Sequence, residues 1–139
     1  VIIINGEKSL RQLSNALVRV GIKPKITVAE MEAKLKKSSY DHWFVIPIEF
    51  EGISNTLFVR MRSYIDVNLA YSSRFKSNEI ILKDLNQKMF ILSLNSNQRS
   101  MSMLTKIAVE LGGGYILPND NLKASDGIDG NFHKIKGKI

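Results

Sequence analysis

Two apolar segments in the middle of the chain place the strongest limits on its fold. WFVIPIEF, residues 43–50, is rich in aromatic and β-branched side chains, and LFVRMRSYIDV, residues 57–67, alternates between apolar and polar positions. Between them lie Gly52 and Asn55, which are both common turn residues. Two such segments joined by a turn are typical of paired antiparallel strands. Because Pro47 has no N–H to donate, we expect the first strand to lie at a sheet edge or to bulge there.

Helical periodicity is found on both sides of this hairpin. Apolar residues recur at spacings of three and four over residues 7–20, and a capping-box pattern opens a second predicted helix at residues 27–37. A third helix is predicted over residues 101–111, after an apolar strand at residues 88–94. The short apolar run at residues 1–4 is a further predicted strand. The pattern therefore predicts an α+β fold, a mainly antiparallel sheet with two N-terminal helices and one C-terminal helix packed on it.

The length of 139 residues suits a single domain with a packed core. The periodic apolar positions end near Pro118, so we expect one α+β domain over residues 1–118. Residues 119–139 are polar, rich in glycine and aspartate, and without periodicity. Such a segment is expected to form a flexible C-terminal tail that contributes little to the core.

Composition excludes several classes of site. With no cysteine, the chain has neither disulfides, nor thiolate metal ligands, nor a cysteine nucleophile. No apolar run approaches the roughly 18 residues that span a bilayer, and the initial VIII is too short for the core of a signal peptide. We therefore expect a cytoplasmic protein without a membrane partner.

The formal charge of +7 favours acidic partners. Residues 1–38 carry eight basic and three acidic side chains, residues 39–70 carry two and four, and residues 71–106 carry six and two. The positive charge therefore lies in two segments on either side of a mildly acidic middle. Since it is not gathered in one tract, it favours a protein partner over nucleic acid.

Three consecutive glycines, Gly112 to Gly114, raise the question of a phosphate-binding loop. Such loops follow a strand and open a helix, so that the helix N-terminus faces the anion. Here the order is reversed, because the predicted helix precedes the glycines and the short strand YIL follows them. We therefore interpret the glycines as a helix C-cap, followed by close packing of the helix against the strand.

The candidates for catalysis and metal binding are few. His42 lies beside Asp41, but adjacent residues of a strand point to opposite faces, which is poor geometry for a catalytic pair. His133, the other histidine, lies in the predicted tail. DNLKASDGIDGN, residues 120–131, fails the pattern of a calcium loop, because Ile128 occupies a ligand position and no glutamate closes the loop. We expect no enzymatic activity, no cofactor and no metal.

The first two predicted helices also raise the question of a helix–turn–helix unit that binds DNA. The second helix begins AEMEA, and its glutamates would meet DNA phosphates at the end that reads bases. Pro24 in the connection also departs from the compact form of that unit. We expect instead an ordinary helical pair packed on the sheet.

The polar face of the second strand is the strongest candidate for a binding site. Phe58, Arg60, Arg62 and Tyr64 alternate along it, so that aromatic rings bracket two guanidinium groups. Aromatic and arginine side chains are favoured anchors in protein interfaces. Faces of this kind also bind single-stranded nucleic acid, because bases stack on the rings while arginines contact phosphates. A third alternative is that a helix covers Phe58 and Tyr64 while the arginines reach solvent.

These observations favour a small non-enzymatic binding protein over an enzyme. The preferred hypothesis is a protein-binding inhibitor, immunity protein or adaptor, whose partner is an acidic protein bound through these four residues. The alternative is a basic accessory protein that binds nucleic acid through the same aromatic and arginine face. The step from a compact domain without catalytic motifs to the first class rests on analogy.

Overall fold

The computed structural model describes residues 1–38, 42–63, 66–67, 87–94, 98–116 and 133–138. These ranges contain three helices and seven strands, which confirms the predicted α+β class. In chain order the elements are β1 (Ile2–Ile4), α1 (Leu10–Arg19), β2 (Ile22–Pro24), α2 (Val28–Lys37), β3 (Phe44–Phe50), β4 (Ile53–Ser63), β5 (Lys88–Leu94), α3 (Gln98–Glu110), β6 (Gly113–Ile116) and β7 (His133–Lys136).

All seven strands form one antiparallel sheet in the order β2-β3-β4-β5-β1-β6-β7. The first strand of the chain therefore lies inside the sheet, with β5 on one side and β6 on the other. This position explains why β1 is apolar on both faces, since Ile2, Ile3 and Ile4 are all at most 2% exposed. Within the described ranges, no helix has the length and apolar character needed to cross a lipid bilayer.

The predicted central hairpin is present, with a tighter turn than expected. Phe50 pairs with Ile53, so only Glu51 and Gly52 connect β3 to β4. Both have positive φ, 52° and 78°, as the two-residue hairpin turn that matches strand twist requires. Strand β4 consequently begins at Ile53 rather than at residue 57, and Asn55 lies within the strand.

Pro47 lies at the point where β3 is no longer paired with β2 and becomes an edge of the sheet. Strand β2 pairs only with residues 48–50 of β3, and the Lys25 N–H donates to the Pro47 carbonyl at 2.8 Å. The N–H and C=O groups of an antiparallel residue point to the same side. The Pro47 nitrogen therefore faces away from β4, where its missing hydrogen costs the β3–β4 ladder nothing.

Side-chain caps open the first two helices. Ser9 Oγ accepts a hydrogen bond from the Gln12 N–H at 3.1 Å, and Gln12 Oε1 accepts from the Ser9 N–H at 2.8 Å. Thr27 and Glu30 form the same reciprocal arrangement at 3.1 and 3.2 Å, which confirms the predicted capping box. Strand β2 separates α1 from α2, so the two helices do not form a helix–turn–helix unit.

The three helices cover one face of the sheet and form the main core with it. Each fully buried aliphatic side chain contributes about 1.5–3 kcal/mol, so this layer supplies most of the stability. The buried residues that α1 and α2 contribute are Leu10, Leu13, Ala16, Leu17 and Met31, and those of α3 include Met103, Leu104, Ile107 and Ala108. From the sheet they contact Ile46, Ile48, Leu57, Val59, Phe90 and Leu92, among others.

A second, smaller cluster lies on the opposite face of the sheet. Its buried members are Ile3, Val67, Met89, Ile91 and Tyr115. Val1 and Trp43 are half-buried and pack against its margin. The sheet is therefore apolar on both sides along its central strands.

The C-terminal segment differs from the sequence expectation over residues 133–138. Strand β7 pairs with β6, Ile135 packs against the main core, and the Lys138 N–H donates to the Val109 carbonyl at 2.9 Å. In HKIK a single apolar residue stands between lysines, which is too short a pattern to reveal a strand. Lysines on an exposed edge strand also discourage pairing with other chains. The predicted boundary after residue 118 and the calcium-loop segment at residues 120–131 lie outside the described residues.

The three glycines end α3, as predicted, and allow the backbone of β6 to lie close to those of β1 and β7. Gly112 and Gly113 have φ values of 93° and 98°, and the Gly112 N–H donates to the Val109 carbonyl. An added Cβ at Gly113 would lie 2.5 Å from the Ile135 carbonyl oxygen, and one at Gly114 would collide with the Ile3 backbone. Glycine is therefore required for chain reversal and for the close approach of β6 to its neighbours.

Glu110 ties the end of α3 to two other segments. Its carboxylate accepts from Arg19 Nε of α1 at 2.9 Å and contacts Lys138 Nζ, after β7, at 3.4 Å. The Arg19 hydrogen bond lowers the pKa of Glu110 below its ordinary 4.5, the Lys138 charge acts in the same direction, and partial desolvation opposes both. Because the pKa is lower in the folded state, Glu110 stabilises the fold at neutral pH. This stabilisation is lost as the pH falls through the folded-state pKa.

We therefore expect Glu110→Gln to lower the denaturation midpoint at neutral pH and to have little effect in strongly acidic buffer. Denaturant unfolding of the variant and the wild type in both buffers measures this difference. Glu32→Gln on the exposed side of α2 is the control and should match the wild type in both. A Glu110→Gln deficit that stayed constant with pH would show that the carboxylate charge is not the cause.

Candidate functional site

Three of the four predicted site residues lie on one face of β4. Leu57 and Val59 are fully buried in the main core, so the alternation of the strand directs Phe58, Arg60 and Arg62 to the face opposite the helices. All three side chains are half-buried. The structure thus gives the predicted residues a common face, and their role in binding remains a prediction.

Of the residues that follow β4, Asp66 and Val67 are described, and Val67 lies on the same face of the sheet. Ser63 Oγ accepts from the Asp66 N–H at 3.4 Å and donates to the Asp66 carboxylate at 3.0 Å. Val67 is 2% exposed and belongs to the second cluster. Tyr64, the fourth predicted site residue, lies outside the described residues.

Trp43 is a neighbour of this face that the sequence did not single out. The guanidinium carbon of Arg60 lies 5.6 Å from the centroid of the Trp43 ring, within the range of a cation–π interaction. Phe44 pairs with Val59, so the register brings the preceding tryptophan beside Arg60. The two-residue turn sets this register, which the longer turn expected from the sequence did not predict.

A groove of about 600 Å³ adjoins Trp43, between the end of α2 and the start of β3. We call it the basic groove, and the residues that line it are Lys34, Lys37, Ser38, His42, Trp43, Phe44 and Val45. Its apolar part consists of the two aromatic side chains and a valine that is 37% exposed. Two lysines belong to the lining, and none of the described lining residues is acidic.

The backbone edge of β3 faces the basic groove. Lys34 Nζ donates to the Val45 carbonyl at 3.0 Å, so this carbonyl points away from β4. Strand β2 pairs with β3 only from Ile48 onward. Among the described residues, therefore, no strand pairs with the beginning of β3 on this side.

A second cleft, of about 390 Å³, lies between α1 and the end of α3. It is polar, and its charged residues are Lys8, Arg19, Glu110 and Lys138. Glu110 already contacts two of the three cations. This cleft is therefore better explained as an electrostatic contact between segments than as an anion-binding site.

The histidines are far apart in the sheet. His42 lines the basic groove just before β3, whereas His133 begins β7 at the opposite edge. Both are exposed, and Asp41 lies outside the described residues. Within the described part of the chain, no three acidic or histidine side chains come together as metal ligands would. The expectation that the protein is not an enzyme remains a prediction.

Comparison with known proteins does not assign a family. No family model matches the sequence, and no curated protein or solved structure shows significant similarity to it. No activity or partner therefore transfers from a relative. The strand face and the basic groove are the features from which a function can be argued.

Proposed function

We propose that this chain is a small non-enzymatic protein that binds an acidic protein partner, in the manner of an inhibitor, immunity protein or adaptor. The basic groove is the observation that carries the proposal. It brings the half-buried Trp43 and the exposed Val45 together with Lys34 and Lys37 in one lining. The neighbouring Trp43–Arg60 contact extends the same surface onto the strand face.

The composition of this surface matches that of a protein interface. Such interfaces have an apolar centre and a polar margin, and tryptophan and arginine are frequent among their energetically dominant residues. Lysines at the margin attract carboxylates and raise the rate of encounter more than they strengthen the final complex. The formal charge of +7 supports the same preference for an acidic partner.

The groove favours protein over nucleic acid as the partner. Nucleic-acid interfaces are more polar and much more positively charged than protein interfaces. Here the lining combines Trp43, Phe44 and Val45 with two lysines. The alternative is a single-stranded nucleic acid stacked on Phe58 and held by Arg60 and Arg62. Nuclease treatment distinguishes it from a protein partner.

We expect Lys37→Glu to weaken partner binding by about tenfold, equivalent to about 1.4 kcal/mol. The matched control is Lys36→Glu, because Lys36 precedes Lys37 in α2, is also exposed and is not among the residues that line the groove. Both variants and the wild type are used for affinity capture from a lysate of the source cells, with and without nuclease treatment. The wild type and Lys36→Glu should each recover one stoichiometric acidic protein, whereas Lys37→Glu should recover little of it.

Two outcomes contradict the proposal. Equal recovery by both variants places the partner elsewhere on the surface. Recovery of nucleic acid, lost on nuclease treatment and falling steeply with salt, supports the alternative. In that case the double variant Arg60→Ala, Arg62→Ala should flatten the salt dependence.

A further inference from the structure

We propose that the beginning of β3 accepts an extended acidic segment of the partner as an added strand, with Lys34 exchanging its bond to Val45 for one to a partner carboxylate. This inference rests on the proposed function, since it specifies how the basic groove is occupied. Addition of a strand to an exposed sheet edge is a common way to bind peptides, and main-chain hydrogen bonds supply much of its affinity.

The available edge is defined by the strands around it. The pairing of β2 with β3 ends at Ile48, and the Lys25 N–H donates a hydrogen bond to the Pro47 carbonyl. Before Pro47, the Lys34 ammonium group donates to the Val45 carbonyl on this side of the strand. The edge open to a partner strand therefore precedes Pro47, and Val45 is the strand residue that faces it.

Val45 offers both of its backbone groups to this edge. In an antiparallel pair, the N–H and C=O of one residue point to the same side. Because the Val45 carbonyl is directed at Lys34 and away from β4, its N–H is directed into the basic groove as well. An incoming strand can therefore donate to the carbonyl and accept from the N–H of this single residue.

The surroundings of the edge select the side chains of the incoming strand. Lys34 and Lys37 belong to α2, and this helix packs through Met31 on the helix-covered face of the sheet. Trp43 packs with the second cluster, on the other face, and by alternation Val45 shares that face. Since strand side chains alternate, the partner segment should present acidic residues to the lysines and apolar residues to Trp43 and Val45.

Lys34 covers the edge in the absence of a partner and would pair with the partner in its presence. Its ammonium group satisfies the Val45 carbonyl at 3.0 Å. A partner N–H replaces it at that oxygen, which leaves the ammonium group beside the acidic side chains of the added strand. A charged side chain at an edge is also a common protection against unspecific pairing.

The first test uses a synthetic peptide of about six residues, an ordinary strand length, in which glutamate and valine alternate. We expect it to bind the wild-type chain and to slow amide hydrogen exchange at Val45 on the order of tenfold. Peptides with the same composition in two blocks, or with N-methyl groups on alternate amides, should bind at least about tenfold more weakly. Binding without protection of Val45, equal binding of all three peptides, or no binding of the alternating peptide overturns the inference.

The second test separates this inference from the proposed function. Val45→Pro removes the N–H that faces the groove, and Pro47 shows that this side of β3 tolerates proline. We expect the variant to keep its β3–β4 pairing and to lose capture of the partner protein, as Lys37→Glu does. If Lys37→Glu abolishes capture while Val45→Pro captures normally, the acidic partner stands and strand addition is wrong. If Val45→Pro does not fold, the N-methylated peptide on the wild-type chain decides the question alone.

Discussion

Replacing Gly114 with alanine is expected to destabilise the fold by about 4 kcal/mol or more, far beyond the effect of an ordinary surface change. The added Cβ would collide with the backbone of Ile3, in the central strand β1. Relief would require β6 to move away from β1 and to break the ladder that joins them. Gly112→Ala should cost only about 1–2 kcal/mol, the strain of left-handed backbone, because its Cβ would meet only the flexible end of Lys8 at 3.7 Å.

Denaturant unfolding of the single variants measures these differences in the free energy of unfolding. Gly52→Ala is the matched control, since Gly52 also has positive φ, at 78°, and an added Cβ there would meet nothing within 4 Å. We expect Gly52→Ala and Gly112→Ala to be equal within error and Gly114→Ala to be much less stable. If Gly114→Ala were as stable as Gly112→Ala, the close approach of β6 to β1 would not be what requires glycine.

Deleting the chain from His133 onward is expected to destabilise the fold by about 2–4 kcal/mol. The deletion removes the pairing of β7 with β6, the packing of Ile135 on the main core and the two contacts of Lys138 with the end of α3. It also exposes the backbone of β6, which then becomes an edge strand.

Thermal and denaturant unfolding of the truncated chain measure this effect. Lys134→Ala is the control, because Lys134 is exposed on β7 and its side chain should contribute little to stability. A truncated chain as stable as the wild type would support the flexible tail that the composition of residues 119–139 predicts. The structure instead makes residues 133–138 part of the folded sheet.

The features that sequence reasoning predicted well are local. A capping box spans four residues, a helix C-cap needs only glycine after periodic positions, and a hairpin joins neighbouring segments. The Thr27 cap, the glycines after α3 and the β3–β4 hairpin are accordingly present. The alternation of β4 also correctly placed Phe58, Arg60 and Arg62 on a common face.

The features that it missed depend on distant pairing. Ile2 pairs with Leu92 and with Ile116, and nothing in the first four residues specifies partners so far along the chain. Strands β2 and β7 have three and four residues, too few to show a periodicity. The basic groove was missed for the same reason, because it forms only where the end of α2 meets the beginning of β3 in the folded chain.

The central claim is that an acidic protein occupies the basic groove, and site-specific photo-crosslinking in the source cells tests it most directly. One variant carries the photoreactive residue at Val45, in the groove, and the other carries it at Val18, a valine that is 62% exposed on α1. We expect the Val45 probe to crosslink to one acidic protein, with a yield unaffected by nuclease, and the Val18 probe to give no comparable product. Equal crosslinking from both positions, or a Val45 product that nuclease removes, would contradict the account.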